Sequence, residues 1–102
     1  MRISSYQIEI INQLAIKCFG IDTKVFLFGS RLDDEKKGGD IDLLIKTSEK
    51  QKMNIRQKST FLTELKLRIG FQKIDVVFDD ENLKLKEFFY KSVIANAQIL
   101  HE

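Results

Sequence analysis

A chain of 102 residues has room for one domain with a single core and not for a catalytic domain plus a separate substrate domain, so one domain over residues 1–102 is expected. Hydrophobic residues make up 43% and charged residues 31%, a balance that excludes a disordered chain. With 17 basic against 15 acidic residues the formal net charge is +2, too small a bias to argue for nucleic acid or a membrane surface, and no direct nucleic-acid binding is expected.

Cys18 is the single cysteine, which excludes an intrachain disulfide framework and suits a reducing compartment. No apolar run approaches 18 residues, and Glu9, Asn12 and Gln13 interrupt the first apolar stretch before a signal sequence can form. The expectation is a cytoplasmic protein without a membrane span.

In chain order, the spacing of Ile11, Leu14, Ala15 and Cys18 predicts a helix from about Ser4 to Phe19, with Ser4 or Ser5 as its cap and Gly20 as its stop. Lys24 to Phe28 reads as a short buried strand, closed by Gly29. Arg31 to Lys37 can make a turn or two of helix before Gly38-Gly39 breaks it. A second strand spans Asp40 to Ile45. The longest helix is predicted from about Lys50 to Ile69, with Phe61, Leu62, Leu65 and Ile69 on one side and Gly70 as its stop. Lys73 to Phe78 is a third strand, 79–82 a loop, and Leu83 to Leu100 a last helix with Leu85, Phe89, Val93, Ala97 and Leu100 in its stripe. The order α-β-(α)-β-α-β-α predicts an α+β fold: a small three-stranded mixed sheet with helices packed on it. Cys18 reads as a core residue, and His101 is assigned no role.

The chemistry concentrates where Gly29-Ser30-Arg31 is followed by Asp40-Ile41-Asp42. Successive strand side chains point to opposite faces, so Asp40 and Asp42 project together with Cα atoms about 6–7 Å apart. Two carboxylates on one face can share a pair of divalent cations, and hard oxygen donors without His or Cys suit magnesium or manganese. Ile41 then faces the core. Glycine lets backbone approach a ligand closely, and the amides of a strand-to-helix turn form an anion site to which Ser30 adds a hydroxyl. Arg31 is a candidate phosphate contact. An antiparallel pairing of the first two strands would bring this turn beside Asp40 and Asp42. Asp75 lies among Ile74, Val76 and Val77, where an uncompensated buried charge is costly; the alternative is an edge-strand charge facing water. A third strand parallel to the second would set Asp75 level with the pair, as a further metal ligand and acceptor of the nucleophile's proton.

Gly29-Ser30, Asp40-x-Asp42 and a single aspartate in the next strand resemble the signature of the DNA-polymerase-β-like nucleotidyltransferase superfamily. The wording Phe-Leu-Phe-Gly-Ser-Arg, with Gly-Asp-Ile-Asp-Leu-Leu-Ile downstream, is similar to its minimal branch, the MNT proteins paired with HEPN-domain toxins. The motif-grade part runs from Val25 to Ile45, plus Asp75, and the element order covers roughly the whole chain. Gly39 stands where many members carry serine, and Asp33, Asp34 and Glu35 make acidic a segment where relatives often carry arginine, which weakens the pull on a triphosphate.

The resemblance implies the nucleotidyltransferase fold, Gly29 and Ser30 on the triphosphate, and Asp40, Asp42 and Asp75 holding two magnesium ions. It implies transfer of AMP from ATP to a tyrosine hydroxyl of a HEPN-type ribonuclease toxin, the chain being the antitoxin. A chain this short needs help to hold an acceptor, so an oligomer or hetero-oligomer is expected. Two rivals come from other classes: a binding module that neutralises its partner with the site idle, and a nucleotidyltransferase acting on an aminoglycoside-like small molecule.

Overall fold

The computed structural model describes residues 3–28, 41–70, 73–80, 91 and 97–100. Helix α1 covers Ser5–Phe19 and strand β1 Lys24–Phe28; strand β2 is Ile41–Lys46, helix α2 Ile55–Ile69, strand β3 Ile74–Phe78 and strand β4 Gln98–Ile99. The strands lie in the order β3-β2-β1-β4. β1 pairs antiparallel with β2, and β3 runs parallel to β2, the two arrangements on which the grouping of the candidate residues depends.

Each helix is bounded by residues suited to its ends. Ser4 caps α1 through a reciprocal box: Gln7 N–H donates to Ser4 Oγ at 3.1 Å and Ser4 N–H donates to Gln7 Oε1 at 3.0 Å. Asn54 Oδ1 caps α2, accepting from Gln57 N–H at 2.9 Å. This cap corrects the expected start at Lys50, because Lys50–Lys52 instead form a 3₁₀ turn.

Both helices end on a glycine, Gly20 at φ +120° and Gly70 at φ +106°, each with extended ψ, in a region open essentially to glycine alone. A Cβ on Gly70 would meet no atom within 4 Å, so the cost of a side chain there is one of backbone alone. Gly70→Ala is expected to destabilise by about 1–3 kcal/mol in urea denaturation. An unchanged midpoint would mean that the chain leaves α2 by another conformation.

The core lies between the helices and one face of the sheet. Ile11, Ala15 and Phe19 of α1 and Phe61 and Leu65 of α2 meet Val25 and Leu27 of β1, Ile41, Leu43 and Ile45 of β2, and Ile74 and Val76 of β3. Burial pushes the Cys18 thiol pKa up, so it stays protonated and serves as a small apolar residue. Alternation turns Phe26, Phe28, Leu44 and Val77 to the other face, where they form a second apolar cluster.

Among the described residues the sheet has four strands rather than three. Gln98 and Ile99, expected at the end of a helix, pair antiparallel with β1, and Leu100 N–H donates to Val25 O at 2.8 Å. Backbone pairing on the edge of β1 outweighs helix continuation here. Leu100 still reaches the core, at 8% exposure, which is why its apolar character also fitted a helical stripe. The expected turn at 31–37 and most of the expected last helix, including Phe89, lie outside the described residues, as does His101.

The turn after α1 is tied to the end of β2. Asp22 accepts from Thr47 Oγ1 at 2.9 Å and from Ser48 N–H at 3.2 Å. Hydrogen bonding from Ser48, then Thr47, holds the Asp22 carboxyl below its ordinary range. The native state therefore binds this proton less readily than the unfolded chain does. Its contribution to stability is complete above the ordinary carboxylate pKa and is lost as pH falls through the lowered native value. Acid titrations of stability should lose part of their slope in this window in Asp22→Asn; identical slopes would show that the tie is not maintained in solution.

Candidate active site

The residues flanking the aspartates determine where the carboxylates go. Ile41 and Leu43 are fully buried, and Ile74 and Val76 are each 4% exposed, so both strands are pinned to the core by the neighbours of Asp42 and Asp75. The aspartates must then face the other side. Ile41 N–H donates to Lys73 O at 3.0 Å, fixing the register at this end. In that register Phe28 stands opposite Asp42 and Asp42 opposite Asp75, giving a row across three strands. Adjacent strands lie about 4.8 Å apart, so the two carboxylates arise from neighbouring positions on one face.

The next row, Phe26, Leu44 and Val77, is an apolar floor, and Leu44 is only 1% exposed. Two like charges at about 4 Å repel by roughly 1 kcal/mol in bulk water and more beside such a surface. The donor set is hard oxygen on one face, which fits a divalent cation such as magnesium or manganese.

Asp42 is half-buried, whereas Asp75 is exposed. Of the two positions open to Asp75, a buried carboxylate or an edge-strand charge facing water, the second is found: among the described residues β3 is a sheet edge, and its alternate residues face outward. Asp40, Gly29, Ser30 and Arg31 lie outside the described residues. Among the described residues no group of three or more His, Cys, Asp or Glu side chains is gathered around one point, and the expected trio includes Asp40.

A cleft of about 570 Å³ opens beside the carboxylates, lined by Phe28, Asp42 and Asp75 together with Lys58 and Leu62 of α2 and Val77 of β3. That volume is typical of a small-molecule site. Lys58 and Phe28 were missed by sequence reasoning. Phe28 enters only through the strand register. The spacing of Lys58 and Leu62, one helical turn apart, signals a shared helix side but not which part of the sheet that side meets.

No helix among the described residues is long and apolar enough to cross a membrane. Comparison with curated proteins finds no match. The family described as "Polymerase beta, Nucleotidyltransferase" matches residues 9–102, nearly the whole chain. With its small α+β architecture and mixed sheet agreeing with that match, the chain belongs to the polymerase-β-type nucleotidyltransferase family, whose reaction class, nucleotidyl transfer, implies a nucleoside triphosphate substrate.

Proposed function

We propose that this protein is a magnesium-dependent protein adenylyltransferase of the minimal MNT type, which moves AMP from ATP onto a hydroxyl of a HEPN-type ribonuclease toxin and so acts as its antitoxin. The observation that carries this reading is the register pairing of Asp42 with Asp75 on one sheet face. The family match supports the reaction class. The MNT-like wording around Gly29-Ser30-Arg31 supports the finer assignment. The domain occupies residues 1–102, works in the cytoplasm, and acts in a complex with its partner.

In this reading Asp40, Asp42 and Asp75 hold the metal ions, which when bound neutralise the triphosphate and favour in-line displacement. Gly29 and Ser30 seat the phosphates through backbone amides and a hydroxyl, with Arg31 beside them. Asp75, exposed at the edge, accepts the proton of the acceptor hydroxyl. The hydroxyl oxygen then bonds to the α-phosphorus, the bond to the bridging oxygen breaks, and pyrophosphate leaves. The chain contributes positioning and charge placement rather than covalent chemistry.

The test is an intact-mass measurement on the protein mixed with magnesium, ATP and a HEPN-type partner. One or more AMP units should appear on the partner and be absent with an Asp40→Asn/Asp42→Asn variant. Unchanged masses in a complex that still forms would replace the enzyme by a binding module. Nucleotide found on an aminoglycoside instead would make the acceptor a small molecule.

A further inference from the structure

Strand β3 is the sheet edge nearest the carboxylates, and among the described residues it pairs only with β2. Ile41 N–H donates to Lys73 O at 3.0 Å, and Asp79 N–H donates to Ile45 O at 2.9 Å. Lys73, Asp75, Val77 and Asp79 thus turn their backbone groups inward to β2. Alternation turns the N–H and C=O of Ile74 and Val76, and the N–H of Phe78, outward. No described residue bonds to these groups.

An edge of this kind is a template for a further strand. The cleft of about 570 Å³ lies along it, with Ile74, Val76 and Leu62 toward α2 and Asp75 and Asp42 toward the open face. Lys58 stands on the α2 side, half-buried, its ammonium 5.8 Å from the centre of the Phe78 ring. It makes no ion pair with a described residue.

We propose that the outer edge of β3, unpaired among the described residues, is the acceptor subsite, where an extended, hydroxyl-bearing segment of a partner protein adds as a further strand and places an acidic side chain on Lys58. This rests on the reading of the chain as a protein adenylyltransferase. Outward N–H and C=O groups at alternate residues match a peptide backbone, and the cation beside them supplies the charge complementarity. The residue opposite Asp75 stands one strand spacing away, about 4.8 Å, and its side chain projects on the same face as Asp42 and Asp75. That residue carries the hydroxyl. Its neighbours at odd offsets project toward α2, where Lys58 waits; those at even offsets project away from it.

The experiment uses synthetic eleven-residue peptides with one central tyrosine and Glu, Lys or Ala at offsets one to four on either side. Labelling from Mg–ATP is followed for the wild type and for Lys58→Glu, and Mg–ATP binding is measured separately by calorimetry. Glutamate at an odd offset should raise labelling about tenfold over alanine. Lys58→Glu should transfer the preference to lysine at that same offset. Labelling without charge preference, a preference at even offsets, or one indifferent to Lys58→Glu would overturn the inference. If Mg–ATP binds but no peptide is labelled, the inference fails and the nucleotide site stands. If Mg–ATP does not bind, the adenylyltransferase reading fails and the inference falls with it.

Discussion

Asp75→Asn should reduce nucleotidyl transfer by on the order of 10²–10³-fold or more while leaving the fold intact. The change keeps the side chain's size and removes one anion from the row that, in the proposed function, holds metal and faces the phosphates. Loss of a ligand that stabilises developing charge costs several kcal/mol, and each 1.36 kcal/mol is tenfold in rate. Asp75 is exposed on an edge strand, so stability should stay within about 0.5 kcal/mol. Any change should be upward, because like charges opposite each other on adjacent strands disfavour the sheet. Turnover and urea denaturation measured on the same preparation separate the two effects. A variant that lost both together would make Asp75 a structural residue.

Phe19→Ala has the largest expected effect on folding. Phe19 is fully buried at the end of α1, with ring centroids 5.4 Å from Phe61 of α2 and 5.5 Å from Phe78 of β3. It therefore joins both helices to the strand that carries Asp75. Removing a buried phenyl ring costs about 3–5 kcal/mol, against a total of about 5–15 kcal/mol for a domain. The variant should unfold at much lower urea, and transfer activity should vanish with the fold rather than before it. A loss under about 1 kcal/mol would mean that the two helices and β3 do not share this junction.

These two residues also mark what the sequence made legible. The helical spacing around Ile11, Ala15 and Phe19 and the strand-like runs at Lys24–Phe28, Ile41–Lys46 and Ile74–Phe78 are local signals, and they survive in the structure. The alternation Asp-Ile-Asp already placed Ile41 inward and Asp42 outward. Asp75 could be paired with Asp42 once strand three was taken as parallel, and the register agrees. Its exposure stays open between a buried position and an edge-strand charge facing water, because edge position belongs to the sheet order and not to the strand. The same holds for β4: Gln98 and Ile99 carry no strand signal of their own and become a strand only because β1 offers an edge. Lys58 joins the cleft through the orientation of α2 on the sheet, a tertiary property that helix periodicity does not specify. The start of α2 was misjudged for a local reason: the polar run from Lys50 to Asn54 has no apolar residue to distinguish a turn from a first helical turn except Met53, and the Asn54 cap decides it.

The proposed nucleotidyl transfer requires a metal–nucleotide to dock on the face of the sheet at Asp42 and Asp75. Titrating ¹⁵N-labelled protein with manganese and a non-hydrolysable ATP analogue, and following paramagnetic broadening of the amide signals, tests this without needing an acceptor. Asp42, Asp75 and their strand neighbours should broaden first, and the effect should disappear in Asp42→Asn. Broadening centred elsewhere, around Asp22 or Asp79–Asp80, would contradict it and leave the carboxylate row without its proposed role.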